Sequence, residues 1–115
     1  MQLTNSIYTT NIVIYTGTDF EQTFVLADDS GALNLTDYTP ISKFKKNAES
    51  LTSTSFTATV TDAINGRLRI SLNATETAAL KAGRYYYDLY LSKDSENVRV
   101  IEGDVIIKQS VTRFD

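Results

Sequence analysis

Apolar residues recur at every second position in short runs broken by turn residues, the pattern of half-buried β-strands. Asn11–Thr16 places Ile12 and Ile14 on one face and Val13 and Tyr15 on the other. After Gly17-Thr18-Asp19, the run Phe20–Leu26 alternates Phe20, Phe24 and Leu26 with Glu21, Thr23 and Val25, with Gln22 interrupting the apolar face. Asp28-Asp29-Ser30-Gly31 has hairpin-turn composition, and Leu33–Tyr38 reads as a loop carrying Leu35 and Tyr38 into the core. Ile41–Lys46 predicts a strand with Ser42 and Phe44 inward, entered through Pro40, whose missing N–H suits a strand start or an edge. Ser55–Thr61 predicts one strand with Phe56, Ala58 and Val60 inward. Arg67–Leu72 returns with Leu68, Ile70 and Leu72 inward, across a turn containing Asn65-Gly66.

Asn73 followed three residues on by Glu76 is a helix-start signature, and the segment near 74–82 allows a short helical turn closed by Gly83. Arg84–Ser92 then predicts a long strand with Tyr85, Tyr87, Leu89 and Leu91 on one face and Tyr86, Asp88 and Tyr90 on the other. Val98–Ile107 is the last strand. Val98 and Val100 are out of phase with Val105 and Ile107, which calls for a bulge or a bend, expected at Gly103. The whole reads as one all-β domain, an antiparallel β-sandwich of about seven strands over residues 11–109. An N-terminal arm or extra strand at 1–10 and a C-terminal tail at 110–115 flank it.

Composition narrows the function more by exclusion than by indication. With 115 residues the chain fits a single domain. It contains no Cys and no His, which leaves no disulfide, no thiolate or imidazole metal ligand and no His or Cys for acid–base or nucleophilic work. A net charge of −3 argues against a nucleic-acid partner. No apolar stretch approaches the ~20 residues of a membrane span, and the N-terminus has neither the basic start nor the apolar block of a secretion signal.

The remaining acids divide into two groups. Asp28, Asp29, Asp62, Asp94 and Glu96 fall in turns, where carboxylates serve the backbone. Asp28-Asp29-Ser30 and Asp94–Asn97 lack the spacing of a calcium loop, and the isolated glycines form no phosphate cradle. Asp88 and Glu102 fall within strands, and Asp88 is expected to pair across strands with Arg99 or Lys108. Lys43, Lys45 and Lys46 suit the wet face of an edge strand. No catalytic set, cofactor site or metal site emerges, so a non-enzymatic role is expected.

Tyr85-Tyr86-Tyr87-Asp88-Leu89-Tyr90 is the most informative run. Its outward rings, Tyr86 and Tyr90, are candidates for a protein contact or for a sugar-stacking platform. Leu3, Ile7 and Tyr8 in the arm and Phe114 in the tail are candidates for pairing with a neighbour's open sheet edge. Gly83-Arg84-Tyr85-Tyr86-Tyr87 resembles the tyrosine corner of immunoglobulin-like sandwiches, with Tyr85 as the corner residue and Tyr87 in the place of the disulfide Cys.

A second resemblance covers most of the chain: Gly17–Phe20, Phe24–Asp28, Gly31, Leu35–Thr39, Gly66, Leu72, Thr77, Leu80, Gly83, Tyr85, Tyr87–Leu89, Glu102-Gly103 and Val111–Arg113. This order is similar to the immunoglobulin-like β-sandwich modules of tailed-phage virions, such as the N-terminal domains of phage baseplate upper proteins. The resemblance implies an immunoglobulin-like sandwich with a virion structural or adaptor role in baseplate, tail, neck or capsid decoration. It implies synthesis in the bacterial host cytoplasm and docking to other virion proteins, with self-association open. The alternative is a carbohydrate-binding module for host-surface recognition that uses Tyr86 and Tyr90.

Overall fold

The computed structural model describes residues 8–112 apart from Ala48. The alternating runs form strands β1 (Tyr8–Thr9), β2 (Ile12–Tyr15), β3 (Phe20–Val25), β4 (Ala27–Asp28), β5 (Gly31–Ala32), β6 (Thr39–Lys45), β7 (Thr54–Ser55), β8 (Thr57–Asp62), β9 (Arg67–Leu72), β10 (Gly83–Lys93) and β11 (Glu96–Lys108). One helix, α1 (Ala74–Ala78), lies between β9 and β10. Seven of the described strands are four residues or longer. They pack as a β-sandwich in which β3–β9–β8 face the larger sheet β11–β10–β6–β7, with β1 and β2 both along the outer border of β11.

Inward alternation from both sheets makes one core. Ile12, Ile14, Phe44, Leu89, Leu91, Ile101, Val105 and Ile107 face Phe24, Leu68, Ile70 and Leu72, all buried. Phe56 sits between the layers, with its ring 4.9 Å from Phe44, 5.9 Å from Phe20 and edge-on to Tyr87 at 6.1 Å. These separations are those of favourable aromatic pairs. Leu33 and Leu35 are buried and Tyr38 packs against the core, so the 33–38 loop plugs it as expected. Buried Ser42 and Thr77 donate to the Asp88 and Thr18 carbonyls, both at 2.7 Å. Their hydroxyls therefore cost the core nothing in unmet hydrogen bonds.

Four local expectations are corrected. The sandwich is not wholly antiparallel, because β1 and β2 run parallel to β11. The run at 55–61 is not one strand: β7 pairs with β6 and β8 pairs with β9. The Phe56 amide still donates to the Ser42 carbonyl at 3.0 Å, so the chain changes sheets at Phe56. The irregularity in β11 lies at Val100, where Leu89 opposes Ile101 and Tyr90 opposes Arg99. Helix α1 ends at Ala79, well before Gly83, although Asn73 and Glu76 do form the reciprocal capping box.

Gly103 has a different task. A Cβ there would collide with the Thr10 carbonyl, so its absence lets residues 8–15 lie close against β11. The ring of Tyr87 covers the glycine, and its hydroxyl donates to the Thr10 carbonyl at 2.6 Å. The Asn11 side chain accepts from the Asp104 amide at 3.0 Å, filling the ladder position between β1 and β2. Burial raises the Tyr87 pKa well above its ordinary value. Tyr87→Phe is expected to lower unfolding free energy by roughly 1–2 kcal/mol in denaturant melts, because it orphans the Thr10 acceptor. The folded state holds the phenol proton more tightly than the unfolded chain does. This contribution is therefore intact below pH ~10 and declines as pH rises beyond it, and Tyr87→Phe should remove that part of the alkaline loss.

The β10–β11 hairpin turns through Asp94 (φ 50°) and Ser95 (φ 71°), both left-handed without being glycine. Ser95→Gly relieves that strain and is expected to raise stability by about 0.5–1 kcal/mol in thermal melts.

Candidate functional site

The outer face of the larger sheet gathers most of the sequence's candidate chemistry. Period-2 alternation sends Ile41, Lys43 and Lys45 of β6 outward beside Tyr90, Asp88 and Tyr86 of β10, in the pairs Tyr90–Ile41, Asp88–Lys43 and Tyr86–Lys45. On the other side of β10 stand Arg99, Glu102 and Asp104 of β11, opposite Tyr90, Asp88 and Tyr86. Arg99 and Glu102 share this face only because Val100 and Ile101 both turn inward at the bulge, which shifts the alternation by one residue. The bulge thus positions the site's central cation.

Arg99 organises the face. Its Nε and Nη2 donate to the Tyr90 hydroxyl at 3.1 and 2.9 Å, and its guanidinium lies 5.4 Å from the Tyr90 ring centroid. Asp88 and Glu102 approach the same guanidinium, each at 3.8 Å. The Tyr90 hydrogen bond, with Asp88 and Glu102 contributing less, pushes the Arg99 pKa up, and the group is a permanent cation. Arg84 donates to Asp104 at 2.5 Å, a contact that raises the Arg84 pKa. Arg99, Tyr90 and Asp88, with Ile41, Lys43, Lys45 and Tyr86, line a shallow groove of about 390 Å³. Its walls mix the charged Lys43, Lys45, Asp88 and Arg99 with Ile41, Tyr86, Tyr87 and Tyr90.

Asp88 pairs with Arg99, one of its two expected partners. Tyr86 projects half-exposed, whereas Tyr90 is held under Arg99, so the two rings do not form an open stacking pair. Tyr85 donates to the Lys81 carbonyl at 2.8 Å, the corner hydrogen bond expected of it, and Lys46 sits 4.9 Å from its ring centroid. Tyr8 donates to the Ala27 carbonyl, tying β1 to the β4–β5 hairpin. Leu3, Ile7 and Phe114 lie outside the described residues.

Sequence reasoning missed the Arg99–Tyr90 stack and the Arg84–Asp104 pair. The adjacent apolar residues Val100-Ile101 were the signal that could have located the bulge. Two of the acids read as turn residues serve their turns: Asp28 accepts from the Ser30 amide at 2.8 Å and Asp62 from the Asn65 side chain at 2.8 Å. Among the described residues no group of three or more His, Cys, Asp or Glu side chains is placed to hold a metal ion. No helix among them is long and apolar enough to cross a membrane.

Arg99→Ala should uncover Tyr90, seen as faster tyrosine nitration at that position, with a stability change below about 1 kcal/mol because the network is exposed. Arg99→Lys keeps the charge but lacks the planar fork, and should not restore the protection.

Comparison with solved structures finds the same sandwich in unrelated settings. The N-terminal domain of ORF48 of phage TP901-1 matches with a TM-score of 0.53 and 13% identity, over 90% of this chain and 97% of that domain. A family 123 glycoside hydrolase from Clostridium perfringens matches at TM-score 0.52 and 13% identity, over 91% of this chain. InlP of Listeria monocytogenes matches at 0.50 and 12%, over 90% of this chain. This chain spans only 28% of InlP and 23% of the hydrolase. At such identities the likeness is one of fold. No curated protein matches in sequence. The family model of LtfC-like β-sandwich domains matches residues 8–108, spanning every strand described above, and the chain belongs to that LtfC-like, beta-sandwich domain family.

Proposed function

We propose that this chain is a virion structural or adaptor protein of a tailed phage. In this reading it docks onto other virion subunits in baseplate, tail, neck or capsid decoration and performs no catalysis. The observation that carries the reading is the reciprocal match to the phage TP901-1 ORF48 N-terminal domain. There the sandwich corresponds to a whole domain, with 97% of it covered, where the other two matches use it as a minor part of a larger chain. The order of residues that resembles tailed-phage sandwich modules supports the same reading.

The outer sheet face suits docking by surface complementarity. Tyr86 and Ile41 offer half-exposed apolar area. The Arg99 and Arg84 networks hold the surrounding charges in a fixed pattern, the mixture of aromatic anchors and polar rim common at interfaces. The strand carboxylates Asp88, Glu102 and Asp104 are each engaged by an arginine, an arrangement that favours a structural over a catalytic use. In this reading the protein is made in the bacterial cytoplasm and ends in the particle.

Labelled antibody on purified particles, with mass spectrometry of their protein content, tests the proposal. The protein should co-purify in fixed copy number at one place on the virion, and Tyr86→Ala should reduce its incorporation. Particles that lack it, or incorporation indifferent to every outer-face substitution, would remove the support for docking through this face. Saturable binding on a host glycan array that Tyr86→Ala abolishes would favour the sugar-binding alternative instead.

A further inference from the structure

Three basic side chains line the groove on the outer face of the larger sheet: Lys43, Lys45 and Arg99. Arg99 is committed to the Tyr90 hydroxyl and to Asp88 and Glu102. Asp88 stands opposite Lys43 in the register, yet its carboxylate approaches Arg99 instead, on the far side of β10. Asp104 is likewise held by Arg84. Among the described residues, no carboxylate pairs with Lys43 or Lys45. Edge protection does not account for Lys43, because β7 already covers β6 there, in the pairs Lys43–Ser55 and Phe44–Thr54. A chain of net charge −3 thus keeps two unmatched ammonium groups side by side on one face.

Their placement defines what fits. Two residues apart on an extended strand, Lys43 and Lys45 are spaced by about 7 Å along β6. Carboxylates at positions i and i+2 of another extended chain have that same spacing and project to one side. The groove runs beside the lysines along β10, from half-exposed Tyr86 at one end to Tyr90 and half-exposed Ile41 at the other. Its ends therefore offer apolar contact and its β6 wall offers positive charge. Asp88, in the floor between the ends, repels a carboxylate from the centre and steers a ligand's acids toward the lysines.

We infer that this groove binds an extended acidic segment of a partner protein, with carboxylates at alternate positions. Two of these carboxylates meet Lys43 and Lys45, and flanking apolar side chains lie against Tyr86 and Ile41. The inference rests on the docking role proposed above and supplies the chemistry of the partner. Charge complementarity sets the sign of the ligand, and the lysine spacing sets its extended form. A sugar has less to hold it in the same place, since Arg99 covers Tyr90 and leaves no open pair of rings for stacking.

The probe is a synthetic peptide with aspartates at alternate positions, threonines between them and a leucine at each end. It is titrated to millimolar concentration against the full chain, with residue-resolved amide shifts as the readout. Binding should saturate, move the Lys43, Lys45 and Tyr86 amides together, and weaken as salt rises. The same peptide with asparagine for aspartate should bind roughly tenfold more weakly or worse. Lys43→Glu combined with Lys45→Glu should cost roughly tenfold or more. Lys81→Glu combined with Lys108→Glu changes the net charge equally at exposed residues outside the groove, and should cost less than about twofold. No saturable shift, equal binding of the two peptides, or equal loss in the two double variants overturns the inference. So does trigalacturonate binding with the same lysine dependence where the acidic peptide does not bind, which gives the groove to a sugar. Should the Lys43 and Lys45 double variant fail to fold, the amide shifts of the wild-type chain decide. Particle incorporation separates this inference from the docking role. Tyr86-dependent incorporation of a chain that does not bind the acidic peptide upholds docking and removes the acidic segment. A chain that binds the peptide but is absent from particles upholds the chemistry of the groove and removes the virion partner.

Discussion

The register of the β10–β11 hairpin governs the rest of the molecule. These two strands are the spine of the larger sheet, since β10 carries β6 on one side and β11 carries β1 and β2 on the other. One extra residue, Val100, shifts the alternation between Arg99 and Ile101. Beyond it Ile101, Val105 and Ile107 reach the core, and before it Val98 and Val100 do. A strand without that shift would send one of these sets to solvent, because side chains alternate faces at every residue. The same shift brings Arg99 onto the face of Glu102, Asp88 and Tyr90. Core and surface site therefore rest on a single backbone irregularity.

The N-terminal strand shows how closely backbone and side-chain constraints are coupled here. Residues 8–15 keep one unbroken register along β11, although the ladder is interrupted at Thr10 and Asn11. Gly103 permits the close approach and Tyr87 captures the freed Thr10 carbonyl. Asn11 supplies from its side chain the acceptor that the backbone would otherwise give. Three residues distant in sequence thus share the work of one missing ladder step. The arrangement leaves β2 as a border strand, with the backbone groups of Val13 turned away from β11 and the Tyr15 carbonyl taken by Thr18.

Membership of the LtfC-like β-sandwich family places the fold in known company. The structural likenesses show the same scaffold within a phage domain, within InlP of Listeria monocytogenes and within a glycoside hydrolase. A sandwich so widely used takes its function from its surfaces, not from its core. On this chain the distinguishing surface is the Arg99-centred face.

Period-2 alternation by itself determined most of the longer strands, their inward residues and the single core, because burying one face requires that pattern whatever the partners are. The Asn73–Glu76 cap and the Tyr85 corner were equally legible, since both are short-range hydrogen bonds between residues close in the chain. Tertiary structure alone decided the parallel placement of β1 and β2, the sheet change at Phe56 and the place of the bulge. Each of these depends on which backbone groups distant in sequence come to face one another, and alternation carries no information about that. Arg99 covers Tyr90, leaving Tyr86 the more open ring, for the same reason: a side chain's neighbours on a sheet face belong to other strands, and only their register brings them together.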